Sequence, residues 1–154
     1  MAHVIDDIDR IMMVMEAAFD PRWGEAWNRR QVESSLVMPT THYRLLDYEG
    51  SEPADGEPAA AFAMVRAAPG EEELLLIAVH PDQRGKGLGG KLIELLASDA
   101  RERSADRLFL EMRENNPAIL LYERHGFLPI GRRKNYYTMA DGMRLDAITF
   151  AKRL

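Results

Sequence analysis

The chain contains no cysteine in its 154 residues. This absence excludes a disulfide framework and a thiol nucleophile, and it is compatible with a reducing cytoplasm. Histidine is also scarce, because only His3, His42, His80 and His125 occur, at scattered spacings and without an H-x-x-x-H pair. Zinc sites need clustered Cys, His or carboxylate ligands, so the sequence predicts no metal site.

Long apolar runs are missing as well. No stretch approaches the roughly 20 apolar residues that a membrane-spanning helix needs. Asp6, Asp7 and Asp9 stand where a signal peptide would carry basic and then apolar residues. The formal net charge is −5, which argues against non-specific binding of nucleic acid. We therefore expect a cytoplasmic protein with neither a nucleic-acid partner nor a membrane partner.

The composition that remains is that of an ordinary globular protein, 46% hydrophobic and 29% charged, and the length predicts a single domain over residues 1–154. Apolar residues at steps of three and four from Ile5 to Phe19 predict an amphipathic helix that ends before Pro21. A second helix is predicted over residues 24–37, with Trp23 and Trp27 on one packed face.

The rest of the chain alternates between strand and helix patterns. Strands are predicted over residues 42–48, 59–67, 74–80 and 107–113, helices over 88–103 and 117–126, and a final hairpin over 127–139 and 143–152. The strand over 74–80 is apolar on both faces, which predicts a central place in the sheet. This order predicts an α/β fold with a mixed sheet.

A glycine-rich stretch, HPDQRGKGLGGKL, joins the third strand to the third helix. A helix that begins with glycines offers free N–H groups to an anion, although such a stretch can also be a turn without a ligand. The dinucleotide fingerprint G-x-G-x-x-G is excluded by context, because it follows its strand directly and usually opens the domain. The P-loop is excluded because Leu92 stands where a Mg²⁺-binding Ser or Thr is required.

A third pattern fits better. Arg84-x-x-Gly87-x-Gly89 resembles the acetyl-CoA loop of the GNAT superfamily of N-acetyltransferases, Q/R-x-x-G-x-G/A. The resemblance implies the GNAT acyl-CoA N-acyltransferase fold, a central mixed β-sheet with a splayed strand pair flanked by helices. It also implies acetyl-CoA (coenzyme A) as cofactor, its pyrophosphate on the loop and its pantetheine arm on the preceding strand. The implied cofactor-binding residues are Ile77, Ala78, Val79, Arg84, Gly85, Lys86, Gly87, Leu88, Gly89 and Gly90.

The C-terminal half carries a narrower resemblance. Residues 110–127 resemble the second half of the superfamily signature, and the tail resembles the bacterial ribosomal-protein-alanine N-acetyltransferases of the RimI type. The matching tail residues are Arg132, Arg133, Asn135, Tyr136, Tyr137, Asp141, Gly142, Asp146 and Ala147. The match covers about residues 74–150, whereas the proline-tryptophan-serine element of that group is replaced by FDPRWGEAW at residues 19–27.

The resemblance implies two catalytic residues. Glu111 would take a proton from the acceptor α-amine, whose pKa is about 7.7 to 8.0 in model peptides, and Tyr122 would give a proton to the departing thiolate. The alternatives are a solvated Glu111 paired with Arg113 or Arg66, and a Tyr122 in the core with its hydroxyl at the rim.

The spacing between these two residues is unusual. Glu111 and Tyr122 are 122 − 111 = 11 positions apart, one fewer than in the family, so either Asn115 or Asn116 could contact coenzyme A and cap the helix. A deletion inside the helix would rotate Tyr122 by about 100° and remove it from its role.

The leading hypothesis is an acetyl-CoA-dependent N-acetyltransferase that acts through a ternary complex on a protein N-terminus, specifically a ribosomal protein that begins with Ala. Tyr136 and Tyr137 are the predicted substrate-binding residues, one of which would lie in the core because neighbouring strand residues face opposite ways. The alternatives are a small-amine acceptor, such as a polyamine or an antibiotic, and a non-catalytic acyl-CoA sensor. We expect a monomer or a weak homodimer.

Overall fold

Helices and strands follow one another in the predicted order, and the computed structural model describes residues 4–154 apart from the side chain of Arg22. Of the four histidines, His3 lies outside the described residues. The elements are α1 (Asp7–Ala18), α2 (Arg29–Leu36), β1 (Thr41–Leu46), β2 (Ala61–Ala68), β3 (Glu71–Val79), α3 (Leu88–Glu102), β4 (Arg107–Arg113), α4 (Ile119–Arg124), β5 (Leu128–Thr138) and β6 (Arg144–Arg153), with 3-10 turns at Pro21–Trp23 and Pro81–Gln83.

The strands form one mixed six-stranded sheet in the order β1-β2-β3-β4-β6-β5. One face packs against α1 and α2, with Ile11, Met15 and Val32 fully buried among the side chains of this face. The other face packs against α3, with Leu92 and Leu96 in its core. Burying a large apolar side chain of this kind stabilises the fold by about 1.5–3 kcal/mol. The mixed α/β fold predicted from the sequence is confirmed.

β3 contributes to both cores, which explains why its sequence is apolar without interruption from Leu74 to Val79. Leu74 lies in the core under α3, whereas Leu76 and Ala78 lie in the core under α1 and α2. Its pairing with β2 slips at Met64 and Val65, so that Leu75 has no partner residue on β2. A bulge of this kind bends a strand and increases its twist. The predicted central strand is confirmed.

The strand pair β3 and β4 is splayed. The two strands pair in parallel only where Glu71–Glu73 face Arg107–Phe109, although β3 continues to Val79 and β4 to Arg113. We call the residues after Glu73 in β3 and after Phe109 in β4 the upper halves of these strands. Along them, β3 stays paired with β2 and β4 stays paired with β6. A gap therefore opens inside the sheet, as the resemblance implied.

The second helix begins five residues later than predicted. Asn28 accepts a hydrogen bond from the N–H of Gln31, and the Gln31 side chain accepts one from the N–H of Asn28, which forms a capping box. Before it, the 3-10 turn Pro21–Trp23 leads to Gly24, whose φ of +64° is incompatible with a right-handed helix. The prediction of Trp23 and Trp27 on one helix face is therefore wrong.

The C-terminal hairpin is confirmed, with its turn at Asp141 and Gly142. Asp141 accepts a hydrogen bond from the N–H of Met143, and Gly142 has a φ of +84°. β5 lies at one edge of the sheet, and its pairing with β6 is irregular between Arg133 and Tyr137. Asn135, with a φ of +52°, lies within this irregularity. As a result, residues that would alternate on a regular strand do not do so here.

Candidate active site

A cleft of about 1110 Å³ occupies the gap between β3 and β4. The upper halves of both strands line it, together with the glycine loop, α4, β5 and residues between α1 and α2. Beyond Glu73, β3 has no ladder partner on its β4 side. The backbone of Ile77, Ala78 and Val79 therefore borders the cleft, where an amide-bearing ligand could complete the missing ladder.

The glycine loop forms one end of the cleft. Gly85 and Gly87 adopt φ values of +82° and +81°, which disfavour any residue with a Cβ. Gly87 is the N-cap of α3, and no side chain of the described residues caps this helix. The first N–H groups of α3, from Leu88 to Gly90, have no partner within the helix. They and the helix dipole suit a diphosphate.

Two further glycines of this loop are needed for packing. A Cβ on Gly89 would lie 3.0 Å from Cδ2 of Leu121, and one on Gly90 would lie 2.7 Å from Nε2 of His125. Both neighbours belong to α4 or its C-terminal cap. The sequence of the loop therefore also sets how closely α4, which carries Tyr122, approaches α3.

The basic residues of the loop differ in their placement. Arg84 lines the cleft, and its Nη2 donates to the carbonyl oxygen of Ala18 at 3.0 Å, which ties the loop to the end of α1. Lys86 is not among the lining residues, and its Nζ donates to Oε1 of Gln83 at 2.9 Å. The placement of the Lys86 side chain does not support its predicted contact with the cofactor, and contact through its backbone stays a prediction.

Glu111 lies on β4 and lines the cleft. Its Oε2 accepts a long hydrogen bond from Oγ1 of Thr149 at 3.4 Å and lies 3.6 Å from Nε of Arg133. The alternative pairing with Arg113 or Arg66 is wrong, because Arg113 pairs with Glu25 and Arg66 pairs with Glu73. The carboxylate is 24% exposed and both of these contacts are long, so it is only loosely held; its role as a base stays a prediction.

Tyr122 lies on α4, lines the same cleft as Glu111 and is 6% exposed. Its ring packs edge-on against Phe127 with the centroids 5.5 Å apart. Burial, and after it the negative charge of Glu25, raise the pKa of the Tyr122 hydroxyl well above its ordinary value. Tyr122 belongs to the hydrophobic core under α3, as the alternative predicted, and it also lines the cleft. The short spacing has therefore not turned it away from the cleft, and its role as an acid stays a prediction.

Both asparagines of the connection between β4 and α4 line the cleft. Asn116 accepts a hydrogen bond from the N–H of Ala118 at 2.9 Å, just before α4 begins. Asn115 accepts a short hydrogen bond from Nη1 of Arg113. The N-cap of α4 is Ala118, and neither asparagine caps the helix with its side chain; Asn116 instead closes the turn just before it. Contact of either asparagine with coenzyme A stays a prediction.

Sequence reasoning missed a group of residues around Arg113, which we call the Arg113 cluster: Trp23, Glu25, Arg113 and Asn116. Nη2 of Arg113 donates to Oε1 of Glu25 at 3.2 Å, and Nδ2 of Asn116 donates to Oε2 of Glu25 at 3.1 Å. The guanidinium lies 3.9 Å from the ring centre of Trp23. These contacts join positions 88 and 91 residues apart, so no local pattern could have indicated them.

The two adjacent tyrosines on β5 differ in exposure. Tyr137 lines the cleft and is half-buried, whereas Tyr136 is 51% exposed and is not among the lining residues. Their rings contact each other edge-on, with centroids 5.1 Å apart. The prediction that one of them lies in the core is wrong, because β5 is an exposed edge strand with irregular pairing. Their role in binding substrate stays a prediction.

A second cavity of about 600 Å³ adjoins the cleft, because Trp27 and Leu75 line both. Its other walls come from α2, from the start of β1 and from Arg66 on β2. Within residues 4–154, no cluster of three or more His, Asp or Glu side chains could hold a metal ion. No helix in the same range has the length and apolarity to cross a membrane.

Comparison with known proteins gives a consistent result. Residues 9–127 match the family model described as acetyltransferase (GNAT) family. The chain is 44% identical over 93 residues to the ribosomal protein bS18-alanine N-acetyltransferase of Escherichia coli (strain K12). This alignment covers 60% of this chain and 62% of that protein. It is 38% identical over 125 residues to the ribosomal protein bS18-alanine N-acetyltransferase of Haemophilus ducreyi, covering 77% of this chain and 86% of that protein.

Solved structures agree. The crystal structure of the ribosomal-protein-S18-alanine N-acetyltransferase from Escherichia coli superposes with a TM-score of 0.76 at 30% identity, and the match covers 98% of this chain and 91% of that one. The similarity therefore extends over the first forty residues, where the sequence resemblance was weak.

Proposed function

The chain belongs to the acetyltransferase (GNAT) family, and we propose that it acetylates the N-terminal α-amine of a ribosomal protein that begins with Ala. One observation carries the proposal: Glu111 and Tyr122 line the same cleft, which the glycine loop borders. The names of the relatives support the choice of acceptor. A ribosomal acceptor would also place the protein in the cytoplasm.

The cleft fits acetyl-CoA. The uncapped start of α3 suits the diphosphate, and the free edge of β3 at Ile77, Ala78 and Val79 suits the amides of the pantetheine arm. When bound, acetyl-CoA supplies a thioester as the acetyl donor. Backbone groups would therefore hold the diphosphate and the pantetheine arm.

Glu111 and Tyr122 divide the proton transfers. A large share of the acceptor α-amine is protonated at neutral pH, since its pKa is about 7.7 to 8.0. Glu111, loosely held by Thr149, accepts that proton directly or through water. Tyr122, with its raised pKa, keeps its proton until it donates to the leaving sulfur. Both transfers occur within one ternary complex.

The second cavity favours a peptide over a small amine. The two cavities share Trp27 and Leu75 in their linings, so the second offers space next to the cleft for residues that follow the N-terminal one. A single small amine would not need this second space.

The test is thiol release from acetyl-CoA with a short peptide that begins Ala-Arg and contains no Lys. The same peptide with a blocked N-terminus is the control, and spermidine and an aminoglycoside serve as small-amine acceptors. Turnover on the free peptide alone is the expected result. Turnover on a small amine with none on the peptide would overturn the acceptor assignment. Tight acetyl-CoA binding without any turnover would indicate a sensor.

A further inference from the structure

The Arg113 cluster joins two regions that are far apart in sequence. Trp23 and Glu25 belong to segment 19–28, which connects α1 to α2 and lines the cleft through most of its residues. Arg113 ends β4, two residues after Glu111, and Asn116 precedes α4. The cluster therefore ties segment 19–28 to the chain that carries both proposed catalytic residues.

The cluster is built around a buried charge. Arg113 is 5% exposed, and its Nε has no hydrogen-bond partner among the residues that the structure describes. Glu25 provides the compensating negative charge at 3.2 Å, and the Trp23 ring covers the guanidinium. Breaking one partner of such a pair leaves an uncompensated charge, whereas replacing both with apolar groups often does not destabilise the fold.

Glu25 and Glu111 both line the cleft but differ in their bonding. Each carboxylate oxygen of Glu25 accepts a hydrogen bond, one from Arg113 and one from Asn116. Glu111 accepts a single long hydrogen bond, from Thr149, and lies 3.6 Å from Nε of Arg133. Two hydrogen bonds, one to each oxygen and one of them from a cation, fix the Glu25 carboxylate, so its geometry suits holding other residues in place.

We propose that Glu25 is a positioning residue for the acceptor. It holds segment 19–28, which lines the same cleft as the proposed base Glu111, where the acceptor amine must enter. Through Asn116, which also accepts a hydrogen bond from the N–H of Ala118, it links that wall to the start of α4. The inference rests on the proposed function for the identity of the acceptor, but the fixing of the segment does not depend on it.

The test compares Glu25→Ala with Glu25→Gln and with Glu16→Ala, an exposed carboxylate on α1 outside the cleft. Loss of the charge-assisted bonds should raise the acceptor KM about tenfold, with the acetyl-CoA KM within about twofold of wild type. Amide hydrogen exchange should accelerate in segment 19–28. Glu25→Gln should fall between wild type and Glu25→Ala, because its amide oxygen still accepts from Arg113. Glu16→Ala should match wild type.

The double variant Glu25→Ala/Arg113→Met separates positioning from stability. Removing both charges should restore much of the thermal stability that Glu25→Ala loses, while the acceptor KM stays raised. Recovery of the acceptor KM together with stability would overturn the proposal, as would unchanged exchange in segment 19–28 or a parallel rise in the acetyl-CoA KM. The exchange measurement needs no acceptor. If the wild-type enzyme is inactive on the peptide but amide exchange in segment 19–28 is faster in Glu25→Ala, only the proposed acceptor is contradicted.

Discussion

Two parts of the cleft lining, which we call the coenzyme end and the acceptor end after the proposed function, are built in different ways. The glycine loop, residues 84–90, forms the proposed coenzyme end from backbone: two positive φ angles, an uncapped helix N-terminus and close packing on α4. Segment 19–28 forms the proposed acceptor end, and side chains hold it: Glu25 on Arg113 and Asn116, and Trp23 on the Arg113 guanidinium.

The difference between the two ends determines how readily each can change its ligand. Backbone groups present the same donors whatever the side chains around them, so the coenzyme end suits a ligand that does not change. Contacts between side chains can be exchanged without altering the fold, so the acceptor end can be refitted to another amine. A variant at the coenzyme end should therefore change the KM of acetyl-CoA and leave the KM of the acceptor unchanged, and a variant at the acceptor end should do the reverse.

The largest effect is expected between the two ends, at Glu111. Glu111→Gln removes the proposed base, and kcat should fall about 100- to 1000-fold, while both KM values and acetyl-CoA affinity stay near those of wild type. Steady-state thiol release and calorimetric titration with acetyl-CoA measure this. Glu94→Gln, an exposed carboxylate on α3, is the matched control. Unchanged kcat in Glu111→Gln would remove Glu111 from the mechanism.

At the coenzyme end, Gly87→Ala places a Cβ on a backbone with φ +81°. The strain costs about 1–2 kcal/mol, and any relief of it would redirect the N–H groups of the loop. We expect the acetyl-CoA KM to rise about tenfold with the acceptor KM unchanged.

Gly56→Ala is the control for that variant, because Gly56 has a φ of +79° and equally open surroundings but lies outside the cleft. It should lower the unfolding temperature similarly and leave both KM values unchanged. Equal effects of the two variants on the acetyl-CoA KM would show that strain alone, and not the loop, is responsible.

At the acceptor end, Trp23→Ala removes the ring over Arg113. A cation–π contact contributes about 0.5–2 kcal/mol, so the acceptor KM should rise about three- to tenfold with the acetyl-CoA KM unchanged. Tyr48→Ala, which removes an exposed ring outside the cleft, is the control. A rise confined to the acetyl-CoA KM would contradict the assignment of the two ends.

The smallest effect concerns pH. Because burial and Glu25 raise the pKa of Tyr122 above its ordinary value of 10.0, the folded state favours the protonated phenol. The stability that the protonated Tyr122 hydroxyl contributes is fully present below that ordinary value. It is lost only as pH rises through the higher pKa that Tyr122 has in the folded state. We expect no fall in kcat between about pH 7 and 9.5. An alkaline fall in that range that disappears in Tyr122→Phe would contradict the raised pKa.

Much of the fold was predictable because its signals are local. The central strand β3, the helix α3 and the final hairpin follow from apolar periodicity, glycines and a turn dipeptide within a few residues of each element. The glycine loop is likewise a contiguous motif, so its position between β3 and α3 could be predicted from the sequence, while its binding of coenzyme A stays a prediction.

The acceptor end could not be placed. The start of α2 was predicted too early because its capping box, at Asn28 and Gln31, follows a segment with a helix-like spacing of tryptophans. The two tyrosines of β5 were assigned to opposite faces because a regular strand was assumed, whereas pairing there is irregular.

The sequence by itself determined the order of the elements, the central strand and the glycine loop, since each depends on backbone preferences and periodicity over short stretches. Only the tertiary structure decided that Tyr122 lines the cleft despite the short connection, and that Glu25 lies on Arg113 rather than in solvent. Both depend on where β4, α4 and segment 19–28 meet. That meeting is set by packing between residues far apart in the chain, which no local pattern records.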